Sequence, residues 1–417
     1  SSTITIMSEF YDSLETRNAE QREQELFQSF REHVTHAKEN TVAYRQLLKE
    51  VEVEGLVDAN SISKLPITRK SELVEKQRLL PPFGGIEDTQ GARLTHIFAS
   101  PGPIYEPGIA RTDFANFARA LYAAGFRPGD LLHNSFSYHF SPAGAMVESG
   151  AHALGCCVFP AGVGQTELQA QTIADLQPKG YVGTPSFLKI ILDKANELDL
   201  DVKSISKALV SGEALPLSIR AGFENLGIRV QQCYTTADLG VIAYESKAQE
   251  GLIVDENVYL EIVRPGSGDL VAEGEVGEVV VTSLSPEYPI IRFATGDLSA
   301  IMPGESPCGR TNKRIKGWMG RADQTAKVRG MFIRPEQINK VVKRHPEIVR
   351  ARLIISWTDG ADQIVLKCES ERTDQVLSAA IFNSIREICK LRGEVELVHS
   401  GTLPNDGIVI DDVRKYD

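Results

Sequence analysis

Residues 205–233 read ISKALVSGEALPLSIRAGFENLGIRVQQC. This stretch predicts a strand over 205–210, a helix over 216–226 and a second strand over 228–233. The same alternation runs upstream. Phe114, Phe117, Ala118, Leu121 and Tyr122 mark a helix, and the turn Pro128-Gly129-Asp130 leads into the apolar run Leu131 to Phe136. A small-residue helix over 143–154 precedes a strand at Cys156 to Phe159, and a helix over 165–176 precedes the short strand Tyr181-Val182. Pro185 opens the next helix, with Phe187, Leu188, Ile191 and Leu192 on one face; proline suits the first helical position. Strands separated by helices at this interval predict an α/β fold, a mostly parallel sheet with helices on its faces.

Outward from that block the pattern changes twice. Over 252–301, Val258, Leu260 and Ile262 alternate with Tyr259, Glu261 and Val263, the turn Pro265-Gly266-Ser267-Gly268 follows, and Glu278 to Thr282 reads as a strand. This predicts an antiparallel β appendage. After Gly320 a strand over 325–333 leads to a helix opening at Pro335, with Ile338, Val341 and Val342 inward. Strands at 349–356 and 362–369, a helix over 373–391 and a strand at 394–399 complete the order βαββαβ, a ferredoxin-like α+β unit of roughly 95 residues. The expected domains are 1–320 and 321–417. Nearer the N-terminus, 18–38 reads as a helix, and the Pro-punctuated stretch through Pro81-Pro82-Phe83-Gly84-Gly85 reads as loop.

Composition narrows the function classes. The chain has 417 residues, of which 42% are hydrophobic and 24% charged, so it is globular in character and long enough for two or three domains. With 45 basic against 56 acidic residues, net −11, it lacks the basic excess of a nucleic-acid binder. No stretch has the roughly 18 uncharged apolar residues of a membrane helix, and the N-terminus SSTITIMSEFYD shows no leader pattern, so no membrane partner and a cytoplasmic location are expected. The 6 cysteines are scattered without a C-x-x-C pair, which argues against zinc and disulfide frameworks. A homodimer is the default expectation for assembly.

Four segments carry candidate chemistry. Ser211-Gly212-Glu213 ends a predicted strand, where ligands bind on parallel sheets; a plain turn is the simpler account. Gln232 to Gly240, QCYTTADLG, ends the next strand. Its Tyr234 could stack on a base and its Asp238 could hold Mg²⁺ near phosphates, or the two could be a core tyrosine and a helix cap. In Ile291 to Asp297, IRFATGD, the carboxylate after a tight glycine turn could accept both hydroxyls of a ribose. Gly320 to Gly330, GRADQTAKVRG, lies on the expected boundary and has the character of a hinge.

Taken in order, these segments resemble the adenylate-forming superfamily, and in detail its phenylacetate–CoA ligase branch. Tyr44-Arg45-Gln46-Leu47-Leu48, Leu65-Pro66 and Pro82-Phe83-Gly84 are similar to the branch's lead-in. Ser137-Tyr138-His139-Phe140 fits its aromatic segment beside the acyl pocket, and Cys308-Gly309-Arg310 a segment before its hinge. The resemblance implies ATP, Mg²⁺ and CoA as ligands. Gly212 and Glu213 would line the adenine site, with Tyr234 and Thr235 beside the nucleotide. Asp238 would stand where the family has a Mg²⁺-binding Glu. Asp297 would bind ribose hydroxyls with Arg321 nearby. Asp323 would be the hinge of the small domain, and Arg329 and Gly330 would reach the pantetheine channel. Tyr138, Phe140, Thr184, Pro185 and Leu239 would form the carboxylate pocket, whose aromatic content suits an aryl or arylacetic acid.

The chain departs from that pattern twice. Where the family has a Ser/Thr/Gly-rich loop with a Lys, it has Phe98 to Gly108, FASPGPIYEPG, with three prolines that donate no N–H, no Lys, and Glu106, which would repel triphosphate; a rigid surface turn is the alternative. Where the family has its C-terminal catalytic Lys, the segment Leu403 to Asp412 has Ile408. Three accounts stand: a replacement that arrests the enzyme, a substitute cation such as Lys415, Lys327 or Lys316, or a chain that binds adenylates without making them. The reading is an AMP-forming acyl- or aryl-CoA ligase. An adenylating transferase with a non-CoA acceptor and a nucleotide-binding pseudoenzyme are the rivals.

Overall fold

The computed structural model describes residues 8–91 and 93–415; the segment 1–7, part of the stretch read for a leader, lies outside the described residues. The chain forms two compact units. One holds the chain up to Leu260 together with Val281–Phe293 and Met302–Gly317; the other holds Glu261–Val280, Ala294–Ile301 and the chain from Trp318 on.

The first unit is built on a nine-stranded sheet. Five strands pair in parallel, in the order Cys157–Pro160, Leu131–Asn134, Gly180–Gly183, Lys207–Val210 and Arg229–Thr236. Gly240–Tyr244, Leu252–Val254 and Arg314–Ile315 extend it antiparallel. The expected α/β alternation is therefore present, with each boundary within a few residues of its expected place. Adjacent residues of a strand face opposite sides. Tyr181, Ala208, Val210 and Val230 pack with helices Thr166–Leu176, Pro185–Glu197 and Leu217–Asn225. Val182, Leu209 and Cys233 pack on the other side with Phe117–Ala123 and Ala143–Leu154.

Between the expected N-terminal helix, here Ala19–Asn40, and the sheet, the Pro-rich stretch is not all loop: Lys70–Leu79 is helical, ending just before Pro81-Pro82. The segment 98–108 is not a surface turn either. Leu94–Ser100 and Ile104–Ile109 pair antiparallel, and only 101–103 turn.

The β appendage is shorter than expected. Val258–Val263, Gly277–Ser283 and Phe293–Ser299 form a four-stranded sheet with Thr68–Arg69, whereas Leu252–Val254 joins the large sheet. The chain passes from one unit to the other within each of those three strands.

In the second unit, helices Pro335–Arg344 and Gln375–Cys389 pack on a sheet ordered Glu394–Val398, Ala361–Glu369, Arg350–Thr358, Ile410–Asp412. Ile338, Val341, Leu353, Leu366, Ile381 and Ile385 fill its core. The expected single strand 325–333 is instead a hairpin, Ala326–Val328 with Met331–Ile333, because Arg329 and Gly330 both take positive φ and turn the chain. The fourth strand of the sheet comes from 410–412, parallel to Arg350–Thr358.

One buried ion pair ties helix to sheet beside the strand ends. Arg220 Nη2 donates to both carboxylate oxygens of Glu245 at 2.8 Å, and its Nη1 to the Val230 carbonyl at 2.8 Å. Glu245 also accepts from the Gln232 amide at 2.7 Å. Replacing Arg220 by leucine should leave a buried carboxylate without its cation and cost about 3–5 kcal/mol in denaturant unfolding. The double variant Arg220→Leu, Glu245→Leu should recover most of that loss.

Candidate active site

In the parallel half of the sheet, Asn134 is level with Val182, Gly183 with Val210 and Val210 with Gln232. The segments 135–140, Thr184-Pro185 and 211–213 therefore leave the sheet at one edge, and strand Arg229–Thr236 runs on past them before the turn at 237–239. Ser211 joins two of them. Its hydroxyl donates to the Cys233 carbonyl at 2.8 Å and lies 3.0 Å from the Thr235 hydroxyl. Gly212 takes φ +88°, and a Cβ there would be 3.5 Å from the Thr184 methyl, so the positive φ rather than space calls for glycine. Glu213 accepts from the Ser186 hydroxyl, and from its amide at 3.3 Å. It thus sits at the start of the helix that Thr184 caps through the Phe187 amide. Tyr234 and Thr235 flank the shift in register between Arg229–Thr236 and Gly240–Tyr244.

Tyr138 is half-buried. Its hydroxyl donates to Glu148 at 2.7 Å and accepts from the Asn134 amide at 2.8 Å; burial and the Glu148 carboxylate both push its pKa up. Phe140 is different: the residue is 83% exposed, while its carbonyl accepts from the Ala99 amide at 2.8 Å. Pro185 and Leu239 are buried.

A small cavity of about 30 Å³ lies beside Leu239, with Glu106, Asp238 and Tyr288 among the residues that line it. Glu106 is buried on strand Ile104–Ile109, and its Oε1 accepts from Ser100. Burial pushes Glu106 up to about 8 and Asp238 up to about 6; the Asp238 charge also raises Glu106, and Lys70 lowers both. Glu106 Oε2, Asp238 Oδ1 and the Tyr288 hydroxyl are buried without a hydrogen-bond partner. The Asp238 oxygen suits a hard cation such as Mg²⁺, which takes oxygen donors.

In the second unit Asp297 is the centre of a compact cluster. Arg321 donates to its Oδ1 at 2.9 Å and the Trp318 indole at 3.1 Å, while its own amide donates to Thr295 at 3.1 Å. Thr295 in turn donates to the Val279 carbonyl at 2.8 Å. Asp323 is exposed and accepts from the Thr325 hydroxyl at 3.2 Å. Arg329 is held by strand Ala361–Glu369: its amide donates to the Asp362 carboxylate at 3.0 Å and its guanidinium to the Asp362 carbonyl at 2.9 Å. Gly330 stands open at the hairpin tip with φ +79°. Ile408 is half-buried on a pinned segment. Gln324 accepts from the amides of Val409 and Ile410 at 2.7 and 3.0 Å and donates to the Gly407 carbonyl at 2.9 Å.

Residues 110–285, which include all four strand-end segments, match the family of AMP-binding enzymes. A phenylacetate-coenzyme A ligase of Thermus thermophilus is 30% identical over 386 residues, 87% of this chain and 86% of that protein. This chain belongs to the phenylacetate–CoA ligase-like branch of the adenylate-forming superfamily. A phenylacetate-coenzyme A ligase of Escherichia coli K12 is 28% identical over 423 residues, 94% of each chain. A 2-hydroxyisobutyryl-CoA ligase, solved in an open conformation with 2-HIB-AMP and CoA, matches with a TM-score of 0.72 at 23% identity over 95% of this chain and 92% of that one. This likeness carries the fold. No helix among the described residues is long and apolar enough to cross a membrane.

Three residues near these groups are not legible as site residues in the sequence. Lys70 acts on both Glu106 and Asp238 from 36 and 168 positions away, and Tyr288 lines their cavity from the segment between Gly277–Ser283 and Phe293–Ser299. Trp318 marks only the domain boundary in the sequence. Its closeness to Arg321 is the one signal that could have found it; Lys70 and Tyr288 carry none.

Two glycines separate movable from immovable neighbours. Gly296 and Gly240 take φ +78° and +74°; a Cβ on the first would come 2.4 Å from the Arg321 guanidinium, on the second 2.3 Å from the Ala115 carbonyl oxygen. Gly296→Ala should cost about 1–2 kcal/mol of stability, mostly from the left-handed backbone, because Arg321 can swing away. Gly240→Ala meets backbone and should cost more. Equal losses in urea titration would contradict this.

Proposed function

We propose that this chain is an AMP-forming acid–thiol ligase that joins a carboxylic acid of aryl or arylacetic type to CoA, converting ATP to AMP and pyrophosphate. The observation that carries the reading is the convergence of Tyr138, Thr184, Gly212, Glu213, Tyr234 and Asp238 on one edge of the parallel sheet, where open α/β sheets bind ligands. The names of its curated relatives support CoA as acceptor.

A carboxylate is a poor electrophile. In the first half-reaction its oxygen attacks the α-phosphorus and the bond to pyrophosphate breaks, giving an acyl-adenylate. In the second a thiolate attacks the acyl carbon and AMP leaves. Gly212, Glu213, Tyr234 and Thr235 would hold the adenosine end. Asp297, kept in place by Arg321 and Trp318, would accept the ribose hydroxyls. Asp238 would hold Mg²⁺, which offsets phosphate charge when bound. Tyr138, Phe140, Thr184, Pro185 and Leu239 would orient the acid. In this reading 1–320 binds nucleotide and acid, and 321–417 moves about Asp323 between the half-reactions, carrying Arg329 and Gly330 to the pantetheine path.

A second reading, a nucleotide-binding pseudoenzyme, is favoured by Ile408 at the position of the family's catalytic lysine. The aliphatic side chain supplies no charge to the acyl and phosphate oxygens. An adenylating transferase to another acceptor would use the same first step.

Asp297→Ala should weaken ATP or AMP binding by roughly 1.5–3 kcal/mol while the protein stays folded. Unchanged affinity by calorimetry would remove the ribose assignment.

Pyrophosphate release over a panel of carboxylic acids, followed by AMP and acyl-CoA formation, tests the reaction itself. Ile408→Lys should raise acyl-adenylation at least about 10²-fold and leave the thioester step from synthetic acyl-adenylate little changed. Single-turnover measurement of both steps separates the readings. Equal gains in both would show that position 408 does not mark an adenylation lysine. No gain with wild-type activity would point to another cation, and no activity in either protein to a pseudoenzyme.

A further inference from the structure

Helix Ala143–Leu154 consists of small and apolar residues apart from Glu148 and His152. Gly144 and Glu148 are one turn apart and share a helix face. That face lies against Tyr138. A Cβ on Gly144 would come 2.9 Å from the tyrosine ring, and the Gly144 amide donates to the Ser137 carbonyl at 2.9 Å. Asn134 fixes the direction of the Tyr138 proton. Its Oδ1 accepts from the Phe136 amide at 3.2 Å, so its Nδ2 is the atom that meets the phenol oxygen, at 2.8 Å. The phenol must then donate its own proton to Glu148 Oε1, at 2.7 Å. One carboxylate oxygen of this half-buried residue is thereby used. The other, Oε2, has no hydrogen-bond partner among the described residues and is not sealed from solvent. The surroundings are pinned: the Ala161 and Gly162 amides donate to the Asn134 carbonyl at 3.0 and 3.1 Å, and Gln169 donates to the Gly162 and Gly164 carbonyls at 2.7 and 2.8 Å.

We propose that Glu148 is a specificity-determining residue, and that the acid taken by this site carries a hydrogen-bond donor, a hydroxyl or an amine, on the end that reaches Tyr138. This rests on the ligase reading, in which Tyr138 lines the acid pocket. A carboxylate oxygen beside that pocket loses water when an acyl group enters. A bare hydrocarbon ring returns nothing for it. A hydroxyl or amine donates to Oε2 and replaces the lost bond, and bonds to a charged acceptor are the strong ones. The acid's own carboxylate points away from Glu148, because like charges repel. Donor and carboxylate therefore occupy opposite ends of the substrate.

The test compares benzoic and arylacetic acids that differ, at each ring position, in one group: hydrogen, methoxy, hydroxy, amino or aminomethyl. Pyrophosphate release gives kcat/KM, and calorimetry with AMP present gives binding without turnover. The full chain should prefer its best donor-bearing acid over the methoxy partner by at least about tenfold. Glu148→Leu should abolish that preference, lowering donor-bearing acids while acids without a donor hold or gain. Glu148→Gln keeps a neutral acceptor and separates the two sources of the donor. A hydroxy or amino acid should still be preferred, whereas an aminomethyl acid, which is a cation, should fall. If Glu148 only braces Tyr138, Glu148→Leu lowers every acid by the same factor and the proposal is overturned. A wild-type chain that favours unsubstituted or methoxy acids overturns it too, and leaves the ligase reading standing if pyrophosphate is released. If no acid releases pyrophosphate, the ligase reading fails, and the order of binding by calorimetry still decides the role of Glu148. A chain that binds no acid at all loses both.

Discussion

The parallel pairing of five strands from Cys157–Pro160 to Arg229–Thr236 governs the layout of the first unit. A parallel pair cannot be closed by a tight turn, so each of these strands but the last, Arg229–Thr236, is followed by a helix that returns over a face of the sheet. Both faces are then covered, and each strand must be apolar on both sides, as Tyr181-Val182 and Ala208-Leu209-Val210 are. The same direction of pairing sends every strand out at one edge. Tyr138, Thr184, Gly212 and Tyr234 are far apart in sequence and share that edge because their strands do.

Charge is unusual in the first unit at Glu106, which is buried on strand Ile104–Ile109 and feels the Asp238 carboxylate. Burial is the main cause that raises both carboxyls, and the Asp238 charge adds to it at Glu106, so both favour their protonated forms more than an exposed carboxyl does. At the other end of the chain, Ile408 sits on a segment fixed by Gln324 and by Asn405, which accepts from the Val276 amide at 2.8 Å. The backbone around position 408 is held by these bonds whatever its side chain does.

The Asp297 cluster shows local geometry doing what long-range packing does at the sheet edge. The positive φ of Gly296 brings the chain close to Arg321, and the bridge between Asp297 and Arg321 fixes the carboxylate against the guanidinium. A side chain at 296 would stand in that space. The Thr-Gly-Asp spacing is therefore a geometric requirement of this cluster.

The sequence by itself determined the α/β alternation and most element positions, because periodicity and turn residues act over a few neighbouring positions. It also set Arg321 near Asp297, and the two pair at 2.9 Å in the folded chain. Other features depended on tertiary structure. Arg329 and Gly330 turn 325–333 into a hairpin, and the sheet takes its last strand from 410–412, since strand pairing is settled by whichever partner is near in space. Glu106 reads in the sequence as part of a surface turn and is instead buried on a strand. Lys70 and Tyr288 join it from distant positions. Burial and electrostatics are set by neighbours in space, and for those three residues only the folded chain supplies them.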